Sequence, residues 1–310
     1  MRDLLFHFGI TLGKRYTKKQ KSWFLEEAAQ EAQNQGWKAE LLTHKTKLSQ
    51  SHHLSIGNPK TAQWVLMAAY DTPSKLLLPK TLYTPFRSDK NLKIDSQNLI
   101  LQVLLSFISF TGLYFVLKSS ASYELNIQIP IWITSFILML ILFKMMSGFA
   151  NKFNHNRNSA SIALMLDLLK EASLKQKMAL IFVDKGIVGI EGFKELRDMN
   201  IISLEAKTIL LDCLASGEIL SLACEEKNKD GAQILIQKIS TKIYMKTYAY
   251  ESSLNYAFSM FPSGMTLVAG DRVGNELVVR NTRTKKDYQV NLDRLQDIRN
   301  GLFNTIRGSK

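Results

Sequence analysis

The sequence predicts an α/β fold: three layers, with a mostly parallel sheet covered by helices on both faces, plus a two-helix transmembrane hairpin. Three observations predict it. Apolar strand-like runs alternate with amphipathic helical ones over most of the 310 residues. Three of those runs, LMAAYD, LIFVD and TILLD, end on an aspartate. Two long stretches in the middle of the chain are almost free of charge.

Taken in order, KKQKSWFLEEAAQEAQNQG reads as an amphipathic helix stopped by Gly36. KAELLTH follows as a strand. The paired histidines of SHH, residues 51–53, are expected in an exposed turn. WVLMAAYD is a buried strand by its continuous apolar run. After the charge-free region, NSASIALMLDLLKEA is a helix with Ile162, Met165, Leu166 and Leu169 on one face. MALIFVD (strand), EGFKELRDMN (helix) and KTILLDCL (strand) come next. AQILIQ, GMTLVAG and ELVVRN are expected to add β structure, with AGDRVGNE as a glycine-bounded hairpin turn. NLDRLQDIRNGLFNTI closes the chain as an amphipathic helix. Residues 1–88 and 154–310 each hold too few elements to fold alone, so they form two parts of one domain. The hairpin, residues 96–150, is inserted between them.

The first span covers residues 99–117, 19 residues without a charge. At about 1.5 Å per residue it crosses most of a roughly 30 Å hydrocarbon core. The second covers residues 129–150 and is broken only by Lys144, near its end, where a lysine stem can snorkel to the headgroups. The connector KSSASYELNIQ carries one lysine and one glutamate. The outer flanks are basic: Lys80, Arg87, Lys90 and Lys93 before, Lys144, Lys152 and Arg157 after. The positive-inside rule puts both termini and the α/β body in the cytoplasm. The net charge of +13 and pI of about 9.6 call for an anionic partner, and the bilayer supplies one. No basic helix interleaved with aromatics points to nucleic acid. Two cysteines, Cys213 and Cys224, make no disulfide framework. The apolar run at the N-terminus is too short for a signal peptide.

Asp71, Asp184 and Asp212 end the three apolar strands. Sites in open α/β sheets gather outside the carboxyl ends of strands, and converging carboxylates suit divalent metals. A strand-end aspartate that caps the following turn is the plainer reading of any one of them.

The segments AAYDT, RNSASIALMLDLL, FVDKGIVGIEGF, TILLDCLASGE and NTRTKKDYQVNLDRLQDI, in that order, resemble the di-zinc aminopeptidases. That superfamily also includes glutamate carboxypeptidase and the transferrin receptor. The resemblance implies a zinc-exopeptidase-like body spanning nearly everything outside the hairpin. It also implies a degenerate site. The family's first histidine ligand falls on Ala69 and its zinc-bridging aspartate on Arg157. Its water-activating glutamate falls on Val183 and its late histidine on Arg283. Asp184 and Asp212 match acidic metal-ligand positions, and Asp71 matches the aspartate that orients the first histidine. Asn158 and Asp287 also fit the pattern.

Alanine and valine offer zinc no lone pair, and a guanidinium is cationic without an acceptor. One zinc ordinarily takes three protein ligands, and two carboxylates remain. The expectation is therefore an ion-pair cluster, with Arg157 and Arg283 held by Asp71, Asp184 or Asp212, and no cofactor. On that reading the chain is a membrane-anchored, inactive peptidase-like protein that binds a peptide, an anionic ligand or a membrane-protein partner. Two alternatives stay open. One is an active metallo-aminopeptidase with a one-metal site on Asp184 and Asp212, or a zinc moved to His155, Cys213 and Asp212. The other is a membrane scaffold that does not use the cleft. Cys213 is expected to point away from Asp212 by strand alternation.

Overall fold

The computed structural model describes residues 1–47, 49–75, 82–146, 148–187, 189–253 and 255–309. Lys80, one of the basic flanking residues, lies outside them. The strands are β1 (Ala39–Lys45), β2 (Gln50–Ile56), β3 (Trp64–Ala69), β4 (Met178–Val183), β5 (Lys207–Asp212), β6 (Ile219–Glu225), β7 (Ile243–Tyr248), β8 (Gly264–Val273) and β9 (Glu276–Val278). The helices are α1 (Arg2–Phe6), α2 (Lys18–Asn34), α3 (Ser88–Ser120), α4 (Leu125–Met146), α5 (Ala160–Leu168), α6 (Glu191–Asp198), α7 (Lys229–Ile236), α8 (Tyr250–Ser253) and α9 (Leu292–Gly308).

One sheet runs β1-β2-β4-β3-β5-β8-β6-β7, with β9 paired to β8. Its centre, β4-β3-β5-β8, is parallel. β2 joins β4, and β6 joins β8, in antiparallel pairs. The sheet is thus mixed at its flanks and parallel where the three aspartates end their strands. β3, from before the hairpin, lies between β4 and β5, from after it. The two parts of the chain therefore share one sheet.

Two apolar cores sandwich that sheet. On one face Phe24 and Ala28 of α2, Leu164 of α5, Leu235 of α7 and Leu302 of α9 pack together. On the other, Val65, Met67, Ile181 and Val183 meet Phe193 and Leu196 of α6 and Phe261. Each fully buried Leu or Phe contributes about 1.5–3 kcal/mol by leaving water. Helix α2 starts where Thr17 and Gln20 form a reciprocal capping box, and the chain leaves it through Gly36 at φ +72°.

Two local expectations need correction. AQILIQ is not a strand: α7 covers residues through Ile236, with Ala232 and Leu235 buried at helical spacing. SHH is not an exposed turn: it lies in β2, and His53 is wholly buried. β6 and β7 carry no expectation from the sequence, because β6 mixes small and polar residues and the alternation of β7 is weak.

α3 and α4 pack against each other, with Phe110 and Phe143 at 5.6 Å. Each is long and apolar enough to cross a membrane, and only 11 % of the most apolar window of each is buried. Phe107 and Ile108 are 69 % and 65 % exposed. Core helices of a soluble protein would bury these side chains. α3 begins at Ser88, well before its charge-free stretch, so its first turns belong to the body.

Candidate functional site

The ends of β3, β4 and β5 meet under the first turns of α3. Ala69 closes β3 and pairs in register with Val183 at the end of β4. A cavity of about 90 Å³ opens there, lined by Ala69, Tyr83, Phe86, Ile187, Asp212 and Asn158 among others. It has room for a few waters or one small group.

Arg157 lies beside this cavity, lining an adjoining narrow crevice with Tyr83 and Ile187. It sits on a π-helical turn, His155–Ser159, that leads into α5. Its side chain is 4 % exposed, and its guanidinium pairs with Asp212. It also reaches the Ile187 carbonyl at 3.3 Å and the Cys213 sulfur at 3.4 Å. Tyr83 covers it: the Arg157 Cζ lies 4.0 Å from the ring centroid, and the phenol donates to Asp212 Oδ2 at 2.7 Å. Burial opposes the charge of Arg157, and the adjoining Asp212 carboxylate overrides it, so its pKa stands well above the ordinary value. Burial pushes the Tyr83 phenol and the Cys213 thiol well up, so both stay protonated.

Asp184 pairs with Lys21 of α2 and accepts from the Lys185 amide at 2.9 Å. Asp71 does not hold an arginine by a hydrogen bond. Its Oδ1 accepts from the Gly186 amide at 3.1 Å. Burial lifts its carboxyl to about 6, with Lys21 pulling down and Asp184 pushing up. The three aspartates thus surround two cations, Lys21 and Arg157. Asp287 anchors the Arg157 turn from below, accepting from the amides of Asn156 at 3.0 Å and Arg157 at 3.2 Å. Burial lifts Asp287 to about 7. Asn158 donates to the Asp71 carbonyl at 2.6 Å.

Other expected neighbours go elsewhere. Arg283 shares a narrow crevice with Arg157 but pairs with Asp95 of α3, not with the strand-end aspartates. His155 faces the Asp287 carbonyl at 3.3 Å. Cys213 does not point away from Asp212: its sulfur lies 3.2 Å from Oδ1. Cys213, the residue after β5, has φ +52°, which breaks the alternation just past the strand end.

Four residues were missed from the sequence. Tyr83 and Lys21 are described above. Arg15 is wholly buried and spends its donors on the carbonyls of Phe8, Leu12 and Tyr70 and on Asn158 Oδ1, each at 2.6 Å, with Ser159 Oγ at 2.9 Å. Burial lowers it to about 9, against the pull of Asp71. His53 accepts from the Asp184 amide at 3.2 Å, and burial lowers it to about 4. Nothing in LGKRYT or SHH marks either residue, because their partners come mostly from distant segments brought together only by the fold.

The residues at the strand ends do not fit a zinc ion. Asp184 and Asp212 are each engaged by a cation, and the neighbouring strand-end residues Ala69 and Val183 offer no donor. An added methyl at Gly186 would lie 2.7 Å from Ala69 Cβ, so the loop after β4 fills the space an imidazole at position 69 needs. Among the described residues, no group of three His, Cys, Asp or Glu side chains could hold a metal.

No protein-family model and no curated protein matches the sequence. Solved structures do match in fold. Glutaminyl cyclase from Porphyromonas gingivalis superposes with a TM-score of 0.59 at 10 % identity, over 98 % of this chain and 97 % of that one. The Bacteroides thetaiotaomicron glutaminyl cyclase, bound to N-acetylhistamine, gives 0.58 at 10 % identity, over 100 % and 95 %. The Legionella pneumophila LapA aminopeptidase gives 0.52 at 10 % identity, over 98 % and 68 %. The chain thus shares the α/β fold of these glutaminyl cyclases and of the LapA aminopeptidase.

Proposed function

We propose that the chain is a membrane-anchored, catalytically inactive protein of aminopeptidase-like fold that works by binding. The observation that carries this is the Arg157 guanidinium seated on Asp212 beneath Tyr83. By the resemblance, Arg157 stands where the bridging carboxylate of a di-zinc site belongs. A cation there, already neutralised by a retained ligand position, replaces a metal centre with an ion pair. Val183 leaves that position without a general base.

Both arginines of the crevice are occupied by carboxylates, so a free anion would have to displace one. That favours a peptide segment or a membrane-protein partner engaging the cleft rim over a small anion held inside it. α3 and α4 hold the body at the bilayer, with both termini and the body cytoplasmic by the charge of the flanks.

Metal analysis of protein purified without chelator tests the reading, together with aminopeptidase and glutaminyl-cyclase assays. We expect zinc far below one per chain and no turnover. Near-stoichiometric zinc, with activity abolished by Asp212→Ala, would refute it. Accessibility labelling of a cysteine placed at residue 122 checks the topology, and cytoplasmic labelling there would overturn it.

A further inference from the structure

A patch beside the inner end of the hairpin plays no part in the cleft. α1 and the π-helical turn after it, His7–Thr11, bury Leu4, Leu5, Phe8 and Leu12 against the body. Their other side carries Phe6 and Ile10, 62 % and 48 % exposed. Four residues apart, the two side chains share a face. A surface helix ordinarily keeps that face polar.

The position of the turn gives a reason. It packs against the segment returning from α4: an added methyl at Gly9 would lie 2.9 Å from the His155 ring, and one at Gly13 2.8 Å from the Lys152 carbonyl. Asn154 Nδ2 donates to the Gly13 carbonyl at 2.8 Å. On the returning segment Phe149 is 43 % exposed. Lys152 is exposed, and so is Lys14, next to Gly13. Phe149 stands three residues past Met146, the last residue of α4, at most about 11 Å of extended chain away.

We infer that Phe6, Ile10, Phe149, Lys14 and Lys152 form an interfacial surface that lies on anionic lipid beside the hairpin. The inference rests on the membrane-anchored reading above. Two observations select lipid as the occupant. The patch is continuous with the end of a span, and its apolar side chains are accompanied by lysines, the pairing that interfacial segments use on negatively charged leaflets. The apolar side chains enter the headgroup boundary, and the ammonium groups meet the phosphates.

The experiment uses the full chain in lipid vesicles, with single cysteines at Ile10, Ile137 and Leu204 carrying an environment-sensitive fluorophore. The native Cys213 and Cys224 are buried and do not compete for label. Ile137 lies in α4 and reports insertion of the hairpin. Leu204, 80 % exposed, precedes β5 at the opposite end of the parallel strands and reports water. In vesicles with about 30 % phosphatidylserine, a shallow spin-labelled lipid is expected to quench the probe at 10 at least about twofold more than the probe at 204. The Lys14→Glu/Lys152→Glu pair should remove most of that difference. A probe at 10 as water-exposed as the one at 204, with the probe at 137 quenched, overturns the inference and leaves the anchoring intact. Equal quenching at 10 in purely neutral vesicles overturns the assignment to anionic lipid. A probe at 137 that no lipid quenches removes the anchoring, and this inference with it.

Discussion

Replacing Arg157 by methionine tests whether the pocket is an ion-pair centre. The substitution keeps the stem and removes a guanidinium that is 4 % exposed. Asp212 then keeps the Tyr83 hydroxyl at 2.7 Å and the Cys213 thiol as neighbours, but no cation. Removing one partner of a buried pair costs about 3–5 kcal/mol, because the other charge stays behind. The ring contact with Tyr83 adds up to about 2 kcal/mol when desolvated, not independently of the first figure. Asp212 is 23 % exposed, so water recovers part of the loss and the lower end, about 3 kcal/mol, is the expectation. For a body of this size that is a fall of about 6–12 °C in Tm. The assay is thermal unfolding in detergent, followed by tryptophan fluorescence, on wild type, Arg157→Met, Asp212→Leu and the double variant. Removing both charges should restore most of the loss, since an apolar pair of similar volume is often neutral. A single variant within about 1 °C of wild type would refute the reasoning. So would a double variant whose losses simply add.

Two further outcomes follow from the same pocket. Asp287 is lifted to about 7 by burial, so the folded chain holds its proton more tightly than the unfolded one. Its contribution to stability is complete below about pH 3.8 and is lost as the pH rises through 7. Asp71, lifted to about 6, acts in the same direction. His53, lowered to about 4, acts oppositely: its contribution is present above about pH 6.5 and is lost as the pH falls toward 4. Asp287→Asn should therefore flatten the decline in stability between pH 5 and 7.5 measured by urea unfolding, and an unchanged slope would count against the assignment. Ala69→His drives an imidazole into the Gly186 loop, and overpacking of that kind costs about 1–3 kcal/mol. It should lower Tm without adding zinc, and metal uptake by this single variant would show that the loop yields.

The sequence made the centre of the sheet legible because buried parallel strands are continuous apolar runs: WVLMAA, MALIFV and KTILLD can be read directly. The flanks were legible only in part: KAELLTH reads as the edge strand β1, and others do not. β2 carries two histidines and two serines, and β7 alternates weakly, so neither is apolar enough to announce a strand. At the site, the positions of Ala69, Arg157 and Val183 could be read because each lies at a strand end or just before a helix. Their partners could not. Tyr83 reaches the cleft because its backbone pairs with Val279, with N···O distances of 3.1 and 2.7 Å, across nearly 200 residues of chain. Asp95 takes Arg283 because α3 begins inside the body, and no periodicity places a long apolar helix against a particular loop.

Charge balance explains how the strand-end carboxylates are held. Asp184 and Asp212 end buried strands, and an uncompensated carboxylate there is costly. In a metal centre, dications would neutralise them. Here Lys21 of α2 takes Asp184 and Arg157 takes Asp212, one cation for each carboxylate. Asp71 has no cation bound to it, and its carboxyl is the one burial pushes up to about 6. Lys21 and Arg157 are fixed parts of α2 and of the turn before α5. The two cations tie both elements to the strand ends. Fitting a metal here would mean removing Arg157 and displacing the Tyr83 strap, and breaking either contact leaves a buried group without its partner.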